Sequence, residues 1–251
     1  MKTNTYLKLQ EIINRRGAGF IMLLDPDGLS AEKLREMIPS AIENGVDLFF
    51  VGGTLLISQN FDEYVRIIKQ EAGDTPVILF PGSIFQVSKY ADAILYLSVI
   101  SGRNPAYLID HQVLAAPRVW QLQLESISCG YMLVESGQMT SAEFMSNSRP
   151  LPRNKPDLAL AHALAAQYLG FKVVYLEAGS GAQLAVPEEM ITAISKTISI
   201  PLIVGGGIKT PEIAAKKVDA GASFVVIGNH FENPENLKNI KDFADAVHKK
   251  S

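Results

Sequence analysis

The sequence predicts an α/β protein, a single closed (β/α)8 barrel of the TIM-barrel type over residues 1–251. Three observations lead to this fold. Eight short apolar runs recur along the chain, and segments with helical periodicity follow most of them. The runs are continuous rather than alternating, which is typical of parallel strands that are buried on both faces. A length of 251 residues is usual for one such barrel.

The predicted elements follow one another in the order strand, then helix. The predicted strands are residues 20–27, 47–54, 76–83, 93–100, 130–137, 173–180, 201–208 and 224–229. The predicted helices are residues 30–44, 61–72, 105–126, 157–169, 187–197, 210–220 and 235–248. A short amphipathic helix precedes the first strand and ends at Gly17. Ser30 and Asp62 are predicted N-caps, and Thr210 is a predicted cap that a first-turn proline follows.

Two connections depart from this regular alternation. Only the segment IFQVSKYADA lies between the third and fourth predicted strands, and it is too short for a full helix with its turns. We expect an irregular segment or a single turn there. The longest connection, residues 135–156, is rich in Ser, Asn, Pro and Arg, which predicts a loop. A loop of this length is usually functional.

Composition and charge narrow the class of protein. Hydrophobic residues make up 47% of the chain and charged residues 20%, which is ordinary for a globular protein, and the net charge of -3 does not favour nucleic acid. The single cysteine, Cys129, excludes a disulfide within the chain and favours a reducing compartment. No apolar run approaches the roughly 18 residues of a membrane span, and the N-terminus lacks the apolar core of a signal peptide. We therefore expect a soluble, cytoplasmic protein.

Polar residues and glycines interrupt the apolar runs where the predicted strands end. In a barrel of this kind the carboxyl ends of the strands form the active-site face. Glycine lets backbone N–H groups approach an anion, and the ends of the seventh and eighth strands are the usual phosphate site of the fold. The alternative is that the glycines only make tight turns. The interrupting residues are Asp25, Gly52, Gly53, Thr54, Gly82, Ser83, Glu177, Gly205, Gly206, Gly207, Gly228 and Asn229.

Asp25 and Thr54 end neighbouring predicted strands and are candidate metal ligands. A carboxylate after four apolar residues is costly unless it is paired or bound to a cation. Magnesium takes one or two carboxylates and shares the phosphates of a substrate, and the Thr54 hydroxyl could join them. The alternative role for Asp25 is an Asx turn before Pro26.

Glu177 would stand beside the phosphate cradle, where a carboxylate can accept a proton from a substrate hydroxyl as a general base. A salt bridge across the barrel mouth is the alternative. Tyr175, two residues earlier on the same strand face, could donate to a substrate hydroxyl or only pack in the barrel. The histidines, which show no metal-ligand spacing, are expected on the surface or hydrogen-bonded: His111, His162, His230 and His248. The loop cations, either solvated or able to neutralise a second phosphate-bearing substrate, are Arg103, Arg149, Arg153 and Lys155.

Seven motifs, in this order along the chain, carry a family resemblance: LLDPD, FVGGT, LFPGS, SGRNPAYLI, YLEAGSGA, IVGGGIKTPE and VVIGN. Together they cover about residues 20–230, and SGRNPAYLI and YLEAGSGA are the most specific. The chain resembles the geranylgeranylglyceryl phosphate synthases and the related heptaprenylglyceryl phosphate synthases. That resemblance implies a TIM barrel that lacks its third helix, which agrees with the short connection noted above.

The resemblance also implies an activity. Such an enzyme joins sn-glycerol 1-phosphate to a prenyl diphosphate through an ether bond and releases diphosphate, the first committed step of archaeal-type ether lipid synthesis. It implies Mg2+ at Asp25 and Thr54, a homo-oligomer, and a chain-length limiter at Tyr107, which would make geranylgeranyl diphosphate the substrate. Helix packing is the alternative role for Tyr107. The implied glycerol phosphate contacts are Tyr175, Leu176, Glu177, Ala178, Gly179, Ser180, Gly181, Gly206, Gly207, Gly228 and Asn229.

One departure and two competing functions remain at this point. Many members of the family have lysine where this chain has Gly28, so another cation would have to help hold diphosphate. A phosphosugar isomerase or lyase would share the late phosphate cradle but would need no pocket for isoprene units. A phosphate-ligand sensor on the same barrel would bind without turnover, and the presence of both Asp25 and Glu177 counts against it.

Overall fold

Eight parallel strands close into a barrel in a computed structural model of the chain, in which residues 4–57 and 60–249 are described. Each strand pairs in parallel with the next along the chain, and the eighth pairs with the first. The predicted fold class is therefore confirmed. The strands are β1 Gly19–Leu24, β2 Leu48–Val51, β3 Val77–Leu79, β4 Ala93–Val99, β5 Glu125–Leu133, β6 Val173–Glu177, β7 Leu202–Gly205 and β8 Phe224–Ile227.

Helices follow the strands on the outside of the barrel. The α-helices are α1 Thr5–Arg16, α2 Ala31–Glu43, α3 Phe61–Ala72, α4 His111–Gln121, α5 Ser141–Ser146, α6 Pro156–Tyr168, α7 Glu188–Ser195, α8 Pro211–Asp219 and α9 Ile240–Val247. A π-helical turn, Ala106–Asp110, leads into α4, and two 3-10 segments, Asn229–Glu232 and Pro234–Asn239, precede α9. No helix in the described ranges is both long and apolar enough to cross a bilayer.

The apolar residues form two layers, because successive side chains of a strand point to opposite faces. One layer fills the inside of the barrel and includes Phe50, Tyr131 and Tyr175. The other lies between the strands and the surrounding helices and includes Leu176 and Val204. All five residues of β6 are buried, which explains why its apolar run shows no alternation.

Two of the three predicted N-caps are confirmed. The Ser30 side chain accepts a hydrogen bond from Lys33 N at 3.4 Å, and the Thr210 side chain accepts one from Ile213 N at 3.4 Å. The prediction for Asp62 was wrong. That residue lies inside the first turn of α3, where a negative charge favours the helix dipole, and the N-cap is Asn60.

The boundary between α4 and β5 also differs from the prediction. The helix predicted over 105–126 ends at Gln121, and β5 begins at Glu125. Gln123 has a positive φ of 51°, which turns the chain out of the helix. The Glu125 carboxylate then accepts hydrogen bonds from the backbone nitrogens of Thr5 and Tyr6, at 2.6 and 3.1 Å. A contact across 120 residues thus sets this boundary, and no local pattern reveals it.

The two unusual connections have different outcomes. Residues 80–92 contain no helix, so the expected irregular link between β3 and β4 is confirmed. The connection over 135–156 is not entirely a loop, because it contains α5. The Thr140 side chain caps that helix by accepting from Glu143 N at 3.3 Å. This helix is only six residues long, too short for its periodicity to be recognised in the sequence.

Candidate active site

A cavity of about 830 Å³ opens at the carboxyl ends of the strands. It brings together most of the residues that the sequence singled out, from both the early and the late strands. These are Asp25, Gly52, Gly53, Thr54, Tyr175, Glu177, Gly179, Ser180, Gly181, Gly206, Gly207 and Gly228. The predicted active-site face is therefore one continuous surface.

Glu177 is the last residue of β6, and only 6% of its surface is exposed. Its Oε1 atom accepts a hydrogen bond from Gly179 N at 2.6 Å. Burial raises the pKa of this carboxyl, and the Gly179 amide and the nearby Tyr175 hydroxyl oppose that rise without cancelling it. A buried carboxylate with a raised pKa is a stronger base than an exposed glutamate, which suits it to take a proton near neutral pH. No described residue forms a salt bridge with Glu177, so the alternative role has no partner there.

The glycine at position 206 permits the close approach of β7 to this carboxylate. Gly206 has a φ of 83°, which side chains other than glycine rarely adopt. A Cβ atom there would lie 2.5 Å from Gly179 N and closer still to Glu177 Oε1. Any other residue would therefore push Glu177 and the glycine-rich loop apart.

Not every glycine at the cavity has a backbone N–H group that is available to bind an anion. Gly179 N is committed to Glu177 in this structure. The backbone N–H groups of Gly206 and Gly207 have no acceptor among residues 4–57 and 60–249. Both residues have positive φ, so their conformation departs from the strand and turns the chain at the cavity. The end of β7 is thus the clearest anion cradle of the site.

Tyr175 forms part of the cavity floor from inside the barrel. Its ring stacks on Phe80 with centroids 5.5 Å apart and meets the Tyr131 ring edge-on at 5.2 Å. The Tyr175 hydroxyl is fully buried and makes no hydrogen bond with good geometry to any described residue. Burial, together with the nearby charge of Glu177, raises its pKa well above the ordinary value, so the hydroxyl keeps its proton. A buried hydroxyl of this kind can donate to a ligand in the cavity.

Asp25 forms the Asx turn that was considered for it, and its second carboxylate oxygen makes no part of that turn. Its Oδ1 accepts from Asp27 N at 2.9 Å, which is the Asx turn. A Cβ atom on Gly53 would lie 2.7 Å from Asp25 Oδ2, so that oxygen lies against the end of β2. Burial raises the pKa of Asp25 more than the Asp27 amide lowers it. Within the described ranges no cluster of three or more His, Cys, Asp or Glu side chains could hold a metal. One carboxylate beside Thr54 fits magnesium only if a substrate supplies phosphate oxygens as well.

Gln86 is a structural residue of the site that sequence reasoning missed. Its fully buried carboxamide accepts from Gly53 N and Gly82 N, each at 3.2 Å, and donates to Gly53 O at 2.8 Å. These bonds connect the ends of β2 and β3, in the region where no helix follows β3. The amides of Gly53 and Gly82 are therefore occupied, and they do not serve an anion. A lone glutamine in an irregular segment carries no sequence signal for this role.

A second, apolar groove of about 130 Å³ lies between β3, β4 and the start of α4. It shares six residues with the larger cavity, so the two spaces meet at the ends of β2 and β3 and beside α5: Gly53, Thr54, Phe80, Tyr131, Ala142 and Met145. Tyr107 lines the groove. Its other lining residues include Ile84, Val87, Ile94, Leu95, Leu97, Val99, His111 and Ala115.

Tyr107 is held in place from two sides. Its hydroxyl donates to Met145 O at 3.2 Å, and its ring lies edge-on to His111 with centroids 4.7 Å apart. It therefore packs against a helix and also lines the groove. This position is compatible with helix packing and with a limit on the length of the prenyl chain.

The remaining predicted residues are distributed unevenly around the cavity. Leu176 and Ala178 belong to the layer between strands and helices and do not line it. The side chain of Asn229 lies outside the described part of the structure. Arg103 donates to Gly102 O at 2.7 Å, lies 3.4 Å from His162 Nε2 and does not line the cavity. Lys209, which the sequence analysis passed over, is the one lysine or arginine among the described cavity residues.

The three histidines outside the groove differ in their surroundings. His162 Nδ1 lies 2.7 Å from Leu158 O, and His248 Nε2 lies 2.8 Å from Asp47 Oδ2, as expected of hydrogen-bonded histidines. His230 corrects that expectation. It lines the cavity, its buried Nε2 has no partner among the described residues, and burial lowers its pKa.

Comparison with known proteins agrees with this geometry. The model of the PcrB family matches residues 10–247. Geranylgeranylglyceryl phosphate synthase from Chitinophaga pinensis is 45% identical over 239 residues, with 94% of each chain covered. The enzyme of the same name from Thermococcus kodakarensis is 43% identical over 242 residues, covering 96% of this chain and 94% of that one.

Solved structures give the same result. The structure of (S)-3-O-geranylgeranylglyceryl phosphate synthase from Thermoplasma acidophilum in complex with sn-glycerol-1-phosphate superposes with a TM-score of 0.91. It is 32% identical, and the match covers 99% of this chain and 100% of that one. Thiamine phosphate pyrophosphorylase from Pyrococcus furiosus has a TM-score of 0.60, 97% and 98% coverage and 14% identity, which shows a shared fold alone.

Proposed function

We propose that this chain, which belongs to the PcrB family, is a prenyltransferase that joins sn-glycerol 1-phosphate to geranylgeranyl diphosphate through an ether bond and releases diphosphate. One observation of this chain carries the proposal. A cavity with a glycine cradle and a buried base meets an apolar groove at the ends of β2 and β3. A phosphosugar isomerase or lyase would use the first of these spaces and would have no use for the second.

The cradle binds the phosphate of glycerol phosphate, and Glu177 acts on its hydroxyl group. The N–H groups of Gly206 and Gly207 bind the phosphate, which fixes the distance from the anion to the reacting hydroxyl. Glu177 accepts the proton of that hydroxyl as its oxygen attacks the first carbon of the prenyl chain. The bond from that carbon to the diphosphate oxygen breaks, and its electron pair leaves with diphosphate. Glu177 thus supplies a base at the hydroxyl that must lose its proton.

Tyr175 orients the substrate. Its buried hydroxyl keeps its proton and lies beside the Glu177 carboxylate, so it can donate to that carboxylate or to a hydroxyl oxygen of the bound glycerol. Phe80 and Tyr131 hold its ring in place from inside the barrel.

Asp25 and Thr54 are the residues that would hold Mg2+, with the diphosphate of the prenyl substrate supplying further oxygen ligands. Both residues line the cavity, and Thr54 also lines the groove. When bound, magnesium neutralises the charge that develops on the leaving diphosphate. Lys209 supplies a positive charge inside the same cavity, which compensates in part for the lysine that the family has where this chain has Gly28.

The prenyl chain lies in the apolar groove, and Tyr107 limits its length to twenty carbons. The groove is lined mainly by aliphatic side chains, which bind an isoprenoid by the burial of apolar surface. A homo-oligomer and a cytoplasmic location also stay predictions, which size-exclusion chromatography with light scattering and cell fractionation would test.

A single assay tests the function. Purified protein is incubated with magnesium, sn-glycerol 1-phosphate and radiolabelled geranylgeranyl diphosphate, and labelled glyceryl ether phosphate is separated by thin-layer chromatography. We expect product from this substrate and much less from sn-glycerol 3-phosphate, because the cradle and Glu177 fix the position of the reacting hydroxyl. Binding of glycerol phosphate without any prenyl transfer would instead favour a sensor. Isomerisation of a phosphosugar would favour the alternative enzyme class.

A further inference from the structure

Lys217 is a buried lysine that the mechanism above does not use. It lies in α8, the helix that follows the glycine-rich end of β7, and it is 3% exposed. Its Nζ donates to the carbonyl oxygen of Val186 and to Glu188 Oε1, each at 2.6 Å. Both acceptors lie where the loop between β6 and α7 ends. Lys217 therefore connects α8 to the end of the loop between β6 and α7.

A second cation holds the neighbouring residue of the same loop. Arg153 lies in the connection between α5 and α6 and is partly buried. Its Nη1 donates to Ala185 O and to Glu135 O, each at 3.0 Å. Two consecutive carbonyl groups, those of Ala185 and Val186, are thus each held by a side-chain cation, and the two cations come from different elements.

The residues held in this way support the phosphate cradle directly. A Cβ atom on Gly207 would lie 2.9 Å from Ala185 N and 3.0 Å from Ala185 Cα. Gly207 therefore rests on the backbone of Ala185. The same loop begins at Gly179, whose N–H binds the Glu177 carboxylate. A shift of residues 185–186 would move one side of the cradle relative to the base.

Stability alone gives a weak reason for such a lysine. Removing an ammonium group from water is costly, and well-packed apolar residues often replace a buried ion pair without loss of stability. The partner carboxylate of Glu188 is about half exposed, which weakens the ion pair further. A cation does what an apolar side chain cannot: it fixes the direction of the Val186 carbonyl group.

We propose that Lys217 and Arg153 are positioning residues, which hold the loop between β6 and α7 so that the cradle and Glu177 stay at the separation that bound glycerol phosphate requires. The inference rests on the proposed function for the identity of the ligand. It rests on this chain alone for the contacts. Neither residue is expected to touch the prenyl diphosphate, because neither lines the cavity or the groove.

The test compares Lys217→Met and Arg153→Met with a control at the opposite end of the barrel. Asp47→Asn removes a buried carboxylate that binds Phe20 N at 2.8 Å, His248 Nε2 at 2.8 Å and the Arg16 guanidinium. That control should lower the melting temperature without moving the cradle. Binding of sn-glycerol 1-phosphate is measured by calorimetry, and KM is measured for both substrates.

We expect each Met variant to raise the Kd and KM for glycerol phosphate about tenfold, because a displacement well under 1 Å already weakens an oriented site. The KM for prenyl diphosphate should stay within about twofold of the wild-type value, since neither cation contacts that ligand. The control should leave the Kd for glycerol phosphate unchanged. The double Met variant should cost less than the product of the single effects, because both cations hold one loop.

Three results would overturn the inference: an unchanged Kd, an equal rise in both KM values, or the same rise in the control. If Lys217→Met does not fold, Arg153→Met decides by the same measure, because that side chain is only partly buried. Failure of the proposed function looks different. Wild-type protein could then bind glycerol phosphate without prenyl transfer, and the comparison of Kd values between variants would still be valid. If wild-type protein does not bind glycerol phosphate, the same Kd comparison is made with inorganic phosphate.

Discussion

Glu177 Oε1 and Gly179 N lie 2.6 Å apart, so the buried carboxylate at the end of β6 closes the turn that begins the glycine-rich loop. Three groups of contacts set the pKa of this carboxyl. Burial raises it, and the Gly179 amide and the Tyr175 hydroxyl together lower it by less. A general base needs a pKa above that of an exposed glutamate, yet it must still ionise near neutral pH. One short contact therefore shapes the loop and moderates the basicity.

The first prediction concerns turnover. Glu177→Gln keeps the shape and the acceptor for Gly179 N but cannot take a proton. We expect kcat to fall by about 10²–10⁴-fold, the usual contribution of general-base catalysis, while the Kd for glycerol phosphate changes little. Single-turnover kinetics with calorimetry on the same sample measures both. Turnover close to that of the wild type would remove Glu177 from the role of base.

The second prediction concerns stability and pH. Because the pKa of Glu177 is raised in the folded state, its ionisation destabilises the fold. That cost is absent below the unfolded pKa and complete above the folded pKa, so it grows as pH rises between the two values. Glu177→Gln should therefore raise the melting temperature at pH 8 and have little effect at pH 4. An equal change at both pH values, measured by thermal unfolding, would contradict this account.

The third prediction uses glycines as a matched pair. Gly206→Ala places a Cβ atom against Glu177 Oε1 and 2.5 Å from Gly179 N, at a φ of 83°. Gly170 has the same φ of 83°, but a Cβ atom there would meet nothing within 4 Å. Both alanine variants should lose about 1–2 kcal/mol of stability from backbone strain. Only Gly206→Ala should also lose glycerol phosphate binding.

Calorimetry and thermal unfolding of the two glycine variants separate strain from the site. If Gly170→Ala weakens glycerol phosphate binding as much as Gly206→Ala does, the effect comes from general destabilisation. If neither variant binds less, the end of β7 is not the cradle.

The sequence was sufficient for the barrel because strands buried on both faces leave long apolar runs. It was also sufficient to place Glu177 and Asp25 at the strand ends that line the cavity, because a carboxylate that ends such a run is conspicuous by itself. It was not sufficient for Gln86 or Lys217. The role of each depends on which backbone groups lie opposite in the folded chain, 33 residues away for Gln86 and 31 for Lys217. Neither residue type is unusual where it stands in the sequence.

The ends of helices and strands also could be predicted only where local residues set them. The end of α3 and the cap at Thr210 follow from local chemistry, and the sequence located both. The start of β5 depends on the contact of Glu125 with the first turn of α1, so the pattern extended the preceding helix too far. Non-local contacts of this kind override weak local propensity.

The fourth prediction concerns magnesium. Asp25→Asn keeps an oxygen that can accept from Asp27 N, so the Asx turn should survive, but it removes the charge. We expect chelator to abolish wild-type activity and the variant to need a much higher magnesium concentration, because a carboxylate ligand is lost. Titration of activity against magnesium measures the shift. Activity that persists in excess chelator would exclude the metal from the reaction.

The last prediction concerns the length of the prenyl chain. Tyr107 stands in the apolar groove, where its hydroxyl donates to Met145 O and its ring contacts His111. Tyr107→Ala removes the ring and should let longer chains enter, each further buried methylene contributing about 0.8 kcal/mol. Tyr107→Phe is the matched control, because it loses the bond to Met145 O but keeps the ring. A competition between twenty- and thirty-five-carbon diphosphates should therefore shift toward the longer chain for the alanine variant alone. If both variants keep the wild-type preference, other residues of the groove set the limit; if both shift, the position of α5 sets it, since the Tyr107 bond to Met145 is the contact that both variants lack.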